Sequence, residues 1–258
     1  MRIFFIGDII GKPGRRIVKQ LLPRLRQEWD VEFCIANGEN IAGGAGMTAR
    51  TVGEVFDAGV DLLTGGNHVW DNKEIFDIIE DPRILRPANI PKGAPGRGAG
   101  VFRTTAGENL TVINLLGRVF MPMMDCPFQT AISLLSADPE QSRAVLVDFH
   151  AEATSEKQAM GHYLDGRVSA VIGTHTHVPT ADAALLKGGT AYLTDVGMTG
   201  PYDGVIGVRK ELALRRMVQR LPVKYQCATD QIRLCAALID IDSATGRAQS
   251  IRLVQEEM

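Results

Sequence analysis

Short apolar runs that each stop at a glycine, an acid, an amide or a histidine set the rhythm of this chain, and they predict alternating strands and helices. Arg2 to Ile6 predicts a strand ending in Gly7-Asp8, followed by a helix opening at Pro13 with apolar positions at Ile17, Leu21, Leu22 and Leu25. Pro23 predicts a kink or an early break in that helix. Val31 to Ala36 reads as the next strand, ending in Asn37-Gly38-Glu39-Asn40, and a glycine-rich loop leads to a helix from Thr48 to Ala58 with Thr48 as its N-cap. Val60 to Leu63 is a third strand, ending in Gly65-Gly66-Asn67-His68, and Asp71 with Glu74 suggests a capping box for a helix reaching Ile79.

Beyond this βαβαβ opening, Arg83 to Gly98 is rich in Pro, Gly and Arg and reads as a long loop at the edge of the site, able to close over a ligand. Val101 to Thr105 and Leu110 to Leu115 suggest a hairpin, Thr130 to Leu135 part of a helix, and Ala144 to Phe149 a strand running into His150. Ser155 and Gln158 suit a helix start. Val168 to Ile172 and Ala191 to Thr194 are further strands, and Ile232 to Ile241 with Gln249 to Val254 forms a second hairpin. One α/β domain over residues 1–258 is the simplest organisation.

A formal charge of -2 with no basic run argues against a protein that holds long nucleic acids by phosphate neutralisation, so a small substrate is expected. The first apolar run is broken by Gly7 and Asp8 and fails as a signal peptide, and no apolar run nears the ~18 residues of a membrane helix. Cys34, Cys126, Cys227 and Cys235 lack metal-knuckle spacing and suit reduced thiols in the cytoplasm, with Cys34 a core residue.

Candidate chemistry collects at the strand ends. Four of the five histidines, His68, His150, His175 and His177, lie just past apolar runs; His162 does not. In an extended segment His175 and His177, at i and i+2, would point to one side and into one site; the alternative is a pair of solvent-facing loop histidines. Asp8, Glu39, Asn40 and Asn67 close other strands, although Asp8 alone could cap a helix and Asn67 alone could serve a turn. Together they suggest a two-metal cluster with Glu39 as the bridge, and oxygen and nitrogen donors without thiolate suit Mn, Fe or Zn. Lys12, Arg15 and Arg16 could attract phosphate or simply form a solvated helix face. Val119 to Asp125, with Met121, Met123 and Met124, suggests core or interface packing and hence a homo-oligomer.

In order, Gly7-Asp8, Gly38-Glu39-Asn40, Gly66-Asn67-His68, His150 and Gly173-Thr174-His175-Thr176-His177 resemble the motif series of calcineurin-like metallophosphoesterases. Ile10 stands where that superfamily has a histidine, and Glu39-Asn40 replaces its GDxxD-like motif. With the segments VDFHAEATSEK and GTHTHVPTAD, these departures make the chain similar to the YmdB family of bacterial phosphodiesterases. The resemblance implies a four-layer αββα sandwich of two mixed β-sheets flanked by helices, and two divalent or mixed-valence metal ions, Fe or Mn before Zn. It implies hydrolysis of 2',3'-cyclic nucleotides or related phosphodiesters, and the near-neutral charge leaves short RNA ends open as partners. Carried over by position, Asp8, Asn40 and His177 would hold one metal, with Asn40 in place of the absent histidine; Asn67, His150 and His175 would hold the other, and Glu39 would bridge them. A bimetal-bound hydroxide would attack phosphorus, with His68, next to Asn67, as general acid. The competing expectations are a phosphomonoesterase, a nuclease, or a regulatory metal-binding protein with negligible turnover. No phosphate-loop or dinucleotide-binding motif supports a metal-free nucleotide binder.

Overall fold

A computed structural model describes residues 1–137 and 142–257. One sheet holds eight strands: β1 (Arg2–Ile6), β2 (Asp8–Ile9), β3 (Phe33–Asn37), β4 (Leu62–Thr64), β5 (Ile84–Leu85), β12 (Met198–Pro201), β13 (Ile232–Ile241) and β14 (Ala248–Glu257). The other holds six: β6 (Ala99–Arg103), β7 (Asn109–Leu116), β8 (Ala144–His150), β9 (Ala170–Thr174), β10 (Ala184–Leu185) and β11 (Ala191–Leu193). Both are mixed. In the first, β1, β3, β4 and β5 run parallel while β13 lies antiparallel to β1; in the second, β7, β8, β9 and β11 are parallel and β6 and β10 close the edges antiparallel.

Strand alternation explains the layering. Ile3 and Phe5 of β1, with Phe33 and Ile35, face Leu110, Val112, Leu146 and Ile172 of the other sheet, forming the seam between the sheets. Phe4 and Ile6 point the other way, onto Ile17, Leu21, Leu22 and Leu25 of α1 (Gly11–Glu28) and Val52 and Val55 of α2 (Ala49–Asp57). On the far side, Val145, Val147 and Phe149 meet Ala131 of α3 (Pro127–Ala137) and Met160 and Leu164 of α4 (Thr154–Leu164). The result is the expected αββα sandwich. Because strands in the middle are covered on both faces, they read as unbroken apolar runs, and each fully buried Phe contributes roughly 1.5–3 kcal/mol. The C-terminal ends of β1, β3, β4, β8 and β9 meet at one rim, where parallel sheets present their sites.

Several expectations are corrected. α1 begins at Gly11 and passes through Pro23 without a break, because Pro23 and Lys19, whose carbonyl loses its donor, both face solvent. Arg15 is buried rather than solvated or free for phosphate: its Nε donates to Glu54 at 2.6 Å and its guanidinium also reaches the Ile41 carbonyl. In place of the helix reaching Ile79 there is a short 3-10 turn, Lys73–Asp77, capped by Asn72 rather than Asp71. α4 starts at Thr154 after an Ala153 cap, so Ser155 lies inside its first turn. The Arg83 to Gly98 loop contains β5 and is tied down by Arg86, which donates to the carbonyls of Pro87, Ala94 and Pro95. Of the Val119 to Asp125 segment, Phe120 and Met123 are 89% and 96% exposed, so they are not core, while Met124 packs on the α1 side. α5 (Lys210–Gln219) has no counterpart in the sequence expectations, since only Ala213 on it is buried.

Gly173, between β9 and the following histidines, sits so close to the chain at Thr194 that a Cβ would overlap the Thr194 carbonyl oxygen. Gly173→Ala is therefore expected to lower stability by about 1–3 kcal/mol through overpacking, measured as a reduced urea midpoint at unchanged slope.

Candidate metal centre

Asp8 follows β1 and is pinned by the pairing of β2 with β12. It is fully buried, its Oδ2 accepts the His175 N–H at 3.2 Å, and its Oδ1 has no hydrogen-bond partner. Glu39 and Asn40 follow β3. Glu39 is 1% exposed and lies within 3.2 Å of His150 Nε2 through Oε1, while Oε2 accepts the His68 N–H at 2.9 Å. Asn67 follows β4 and aims Oδ1 at His150 Nε2, 3.1 Å away. Gly66 makes this convergence sterically feasible, since a Cβ there would overlap Glu39 Oε2 and His150 Nε2. From the second sheet come His150, at the end of β8, and His175 and His177, just beyond β9.

Each of these three histidines is anchored on its outer ring nitrogen. The Thr174 hydroxyl donates to Asp148 at 2.7 Å, so its oxygen is left to accept from His150 Nδ1 at 3.0 Å. His177 Nδ1 donates to the Ile206 carbonyl at 3.0 Å, and His175 Nε2 lies 3.1 Å from Glu152. That leaves the inner nitrogens, His150 Nε2, His175 Nδ1 and His177 Nε2, as the ones that would lose their protons and offer lone pairs to a cation in the interior. His150 Nε2 and His175 Nδ1 face each other at 3.1 Å, and His177 Nε2 lies 3.7 Å from the unpartnered Asp8 Oδ1. Outward-anchored imidazoles with inward lone pairs are the arrangement that metal-binding histidines adopt. Ligand atoms of Glu39, His150 and His175 all lie within 4.8 Å of one another. The donor set fits a divalent cation on the His150 side and another beside Asp8. Asn40 currently turns its Nδ2 toward Glu39 Oε1 and His177 Nε2, at 3.2 and 3.4 Å, so offering its oxygen requires a half-turn of the amide.

All seven expected ligand residues thus converge, and His68 stands apart from them. Its side chain is 40% exposed, its Nδ1 is 2.7 Å from Asp71, and it lines a cavity of about 380 Å³ together with Asn40, His177, Ile206 and Tyr225. The Arg83 to Gly98 segment does not line this cavity.

The expected reason for the convergence of His175 and His177 is corrected. They are not on extended backbone: their φ values are +100° and +67°, the left-handed region that non-glycine residues seldom occupy. What holds them is Asp195, whose Oδ2 accepts both the N–H and the hydroxyl of the intervening Thr176, at 3.1 and 2.9 Å, and the Nζ of Lys157 at 2.6 Å. Both ends of that ion pair are 1% exposed. Asp195, Lys157, Thr174, Asp148 and Glu152 were given no role from the sequence, although each lies in or beside a segment that it singles out. The only signal was Asp148, a lone acid in the apolar run of β8; Lys157, between Glu156 and Gln158 on α4, looks like an ordinary surface position.

Electrostatics divides the cluster. Burial pushes Asp8 and Glu39 up, but the facing imidazoles, His177 and His150 for Asp8 and His150 for Glu39, outweigh it and leave both below the usual carboxylate range. Burial lowers His150, yet Glu39, Asp8 and Asp148 raise it to about 9. Burial and the neighbouring His150 press His175 down to about 3, while Asp8 holds His177 above its ordinary value against its burial. Burial lifts Asp148 to about 6.

A family model described as YmdB-like protein matches residues 4–254. The chain is 49% identical to a Bacillus subtilis (strain 168) protein named 2',3'-cyclic-nucleotide 2'-phosphodiesterase, over 98% of this chain and 96% of the relative. A crystal structure of a hypothetical protein from Thermus thermophilus superposes with a TM-score of 0.94 at 44% identity, covering 100% of this chain and 99% of that one. The calcineurin-like phosphoesterase YfkN from Bacillus subtilis shares the fold, with a TM-score of 0.59 at 11% identity, over 100% of this chain and 90% of that one.

With cations stripped by a chelator, stability should depend on pH through His150. Its folded pKa of about 9 exceeds the unfolded value near 6.5, so its stabilisation is complete below about pH 6.5 and lost as pH rises through 9. The raised His177 acts in the same direction, and the lowered His175 has the opposite sign, with its effect confined to below pH 6.5. The melting temperature of chelator-treated protein should therefore fall between pH 6.5 and 9 in calorimetry; a flat profile would contradict this assignment.

Proposed function

The chain belongs to the YmdB-like family, and on that premise we propose that it is a metal-dependent phosphodiesterase acting on 2',3'-cyclic nucleotides. The observation that carries the reading is the pair of inward ring nitrogens, His150 Nε2 and His175 Nδ1, 3.1 Å apart beside Glu39 and Asn67, with the unpartnered Asp8 Oδ1 facing His177 on the other side. Lone pairs and carboxylates packed this way in a buried site call for cations between them. Asp8, Asn40 and His177 would hold one ion, Asn67, His150 and His175 the other, and Glu39, in reach of both groups, would be shared. Oxygen and nitrogen donors without sulfur accept Fe, Mn and Zn alike, and it is the resemblance to the family that puts Fe or Mn first. When bound, the two ions would supply Lewis-acid activation of water and neutralise charge on the phosphoryl oxygens.

The protein's own groups account for the rest. In the reaction water gives up a proton to the solvent as its oxygen bonds to phosphorus, the bond from phosphorus to one ribose oxygen breaks, and the departing oxygen takes up a proton. His68 would give it; in support, Asp71 holds its ring through Nδ1 and leaves Nε2 for the cavity that His68 lines. The cavity volume of about 380 Å³ suits a ligand of nucleotide size. All four cysteines are free thiols, in keeping with a reducing compartment such as the cytoplasm, and no helix among the described residues is long and apolar enough to cross a membrane.

Protein loaded with manganese should contain about two ions per chain and hydrolyse 2',3'-cyclic AMP. His68→Ala should keep its metal and turn over about 10² to 10⁴-fold more slowly, whereas Glu39→Gln should lose metal and activity together. Equal rates for wild type and His68→Ala would remove His68 from proton transfer, and no turnover by metal-loaded wild type would refute the substrate class.

A further inference from the structure

The cavity beside the metal centre borders a second one at Tyr225. Gly43, Tyr225, Gln226 and Cys227 form a wall that it shares with a second cavity, of about 500 Å³, on the side of α1. The charged residues lining this second space are Lys12 and Arg16, with no acid among them. Neither cation has an ion-pair or hydrogen-bond partner among the described residues, in contrast to Arg15 between them, which is spent on Glu54 and the Ile41 carbonyl. Two exposed cations without an ion-pair partner, lining a space that shares a wall with the cavity at the candidate phosphodiester site, are suited to an anionic extension of the substrate.

Tyr225 stands on the rim between the two cavities. Arg216 stacks over its ring at 4.8 Å, steadying it, while the side chain stays 40% exposed between the two cavities. An aromatic surface held in this way offers a platform for a nucleobase or ribose, with cations beyond it for the next phosphate. The substrate group that extends from a 2',3'-cyclic nucleotide on the side away from the cyclic phosphate is its 5'-oxygen.

We propose that Lys12 and Arg16 form a subsite for a phosphate on the 5'-oxygen of the 2',3'-cyclic nucleotide, reached across Tyr225. This rests on the phosphodiesterase reading above. The same chemistry has two sources: a free 5'-monophosphate, or the diester that joins the terminal nucleotide of a short RNA to the one before it. In both, the hydrolysed bond is unchanged and the subsite contributes binding alone.

The test compares adenosine 2',3'-cyclic phosphate, its 5'-phosphorylated form, and the dinucleotide ending in the same cyclic phosphate, using manganese-loaded wild type and the Lys12→Ala/Arg16→Ala double variant. Wild type should favour the 5'-phosphorylated substrate by about tenfold in kcat/KM, expressed in KM, and the variant should lose that preference while handling the unphosphorylated nucleotide as before. An equal gain for the dinucleotide assigns the subsite to RNA ends; a gain confined to the monophosphate assigns it to small nucleotides. Turnover of the unphosphorylated nucleotide with no preference in wild type, or a preference kept by the double variant, would overturn the subsite and leave the phosphodiesterase reading intact. If wild type hydrolyses none of the three, that reading falls, and calorimetric binding decides the subsite by itself: adenosine 3',5'-bisphosphate should bind about tenfold more tightly than adenosine 3'-phosphate to wild type and equally to the variant.

Discussion

The rest of the rim is arranged around the buried carboxylate of Asp8. A charged group with no solvent exposure and one oxygen without a donor is costly by several kcal/mol unless positive charge is brought to it. The fold brings that charge from the opposite sheet. The His175 N–H is donated to Oδ2, and the rings of His177 and His150 face Oδ1 at 3.7 and 4.0 Å. Asp8 therefore joins the two sheets at the edge where their parallel strands end, beside the contacts that Glu39 and Asn67 make to His150 across the same seam.

Behind the inward-facing groups lies a second set that leaves them little freedom. Asp148 orients Thr174, which orients His150; the Ile206 carbonyl and Glu152 fix His177 and His175. Under the histidine turn, the Lys157–Asp195 pair is dry on both sides. Removing one partner of such a pair strands a buried charge at a cost of several kcal/mol, so the pair gives the strained turn a rigid floor. A site whose donors are held this firmly before any ion arrives loses little conformational entropy on binding one.

How much of this was legible in the sequence follows from what burial does to a strand. β1, β3, β8, β9 and β13 announced themselves because strands covered on both faces become continuous apolar runs, and Asp8, Glu39, Asn67, His150 and His175 stood out as the polar residues interrupting them. What escaped depends on distant partners. The left-handed turn at His175 and His177 is imposed by Asp195, which belongs to another strand end, and nothing in the local sequence separates it from an extended segment. Arg15 and Arg16 are adjacent and chemically alike, yet only Arg15 meets Glu54 across the gap to α2. β2 and β12 are too short to carry a period, and α5 buries a single residue, leaving no apolar stripe to read.

The position of β1 bears on how such a chain is made. It lies at the centre of its sheet, with β3 on one side and β13 on the other, and the Met1 amino group bonds to the Ile241 carbonyl across 240 residues of sequence. During synthesis the apolar strand RIFFI leaves the ribosome well ahead of β13, so the edge that β13 covers stays unpaired until that strand follows. Closure of the sheet is thus a late, non-local event, and until it happens the growing chain displays a sticky edge of the kind that chaperones shield.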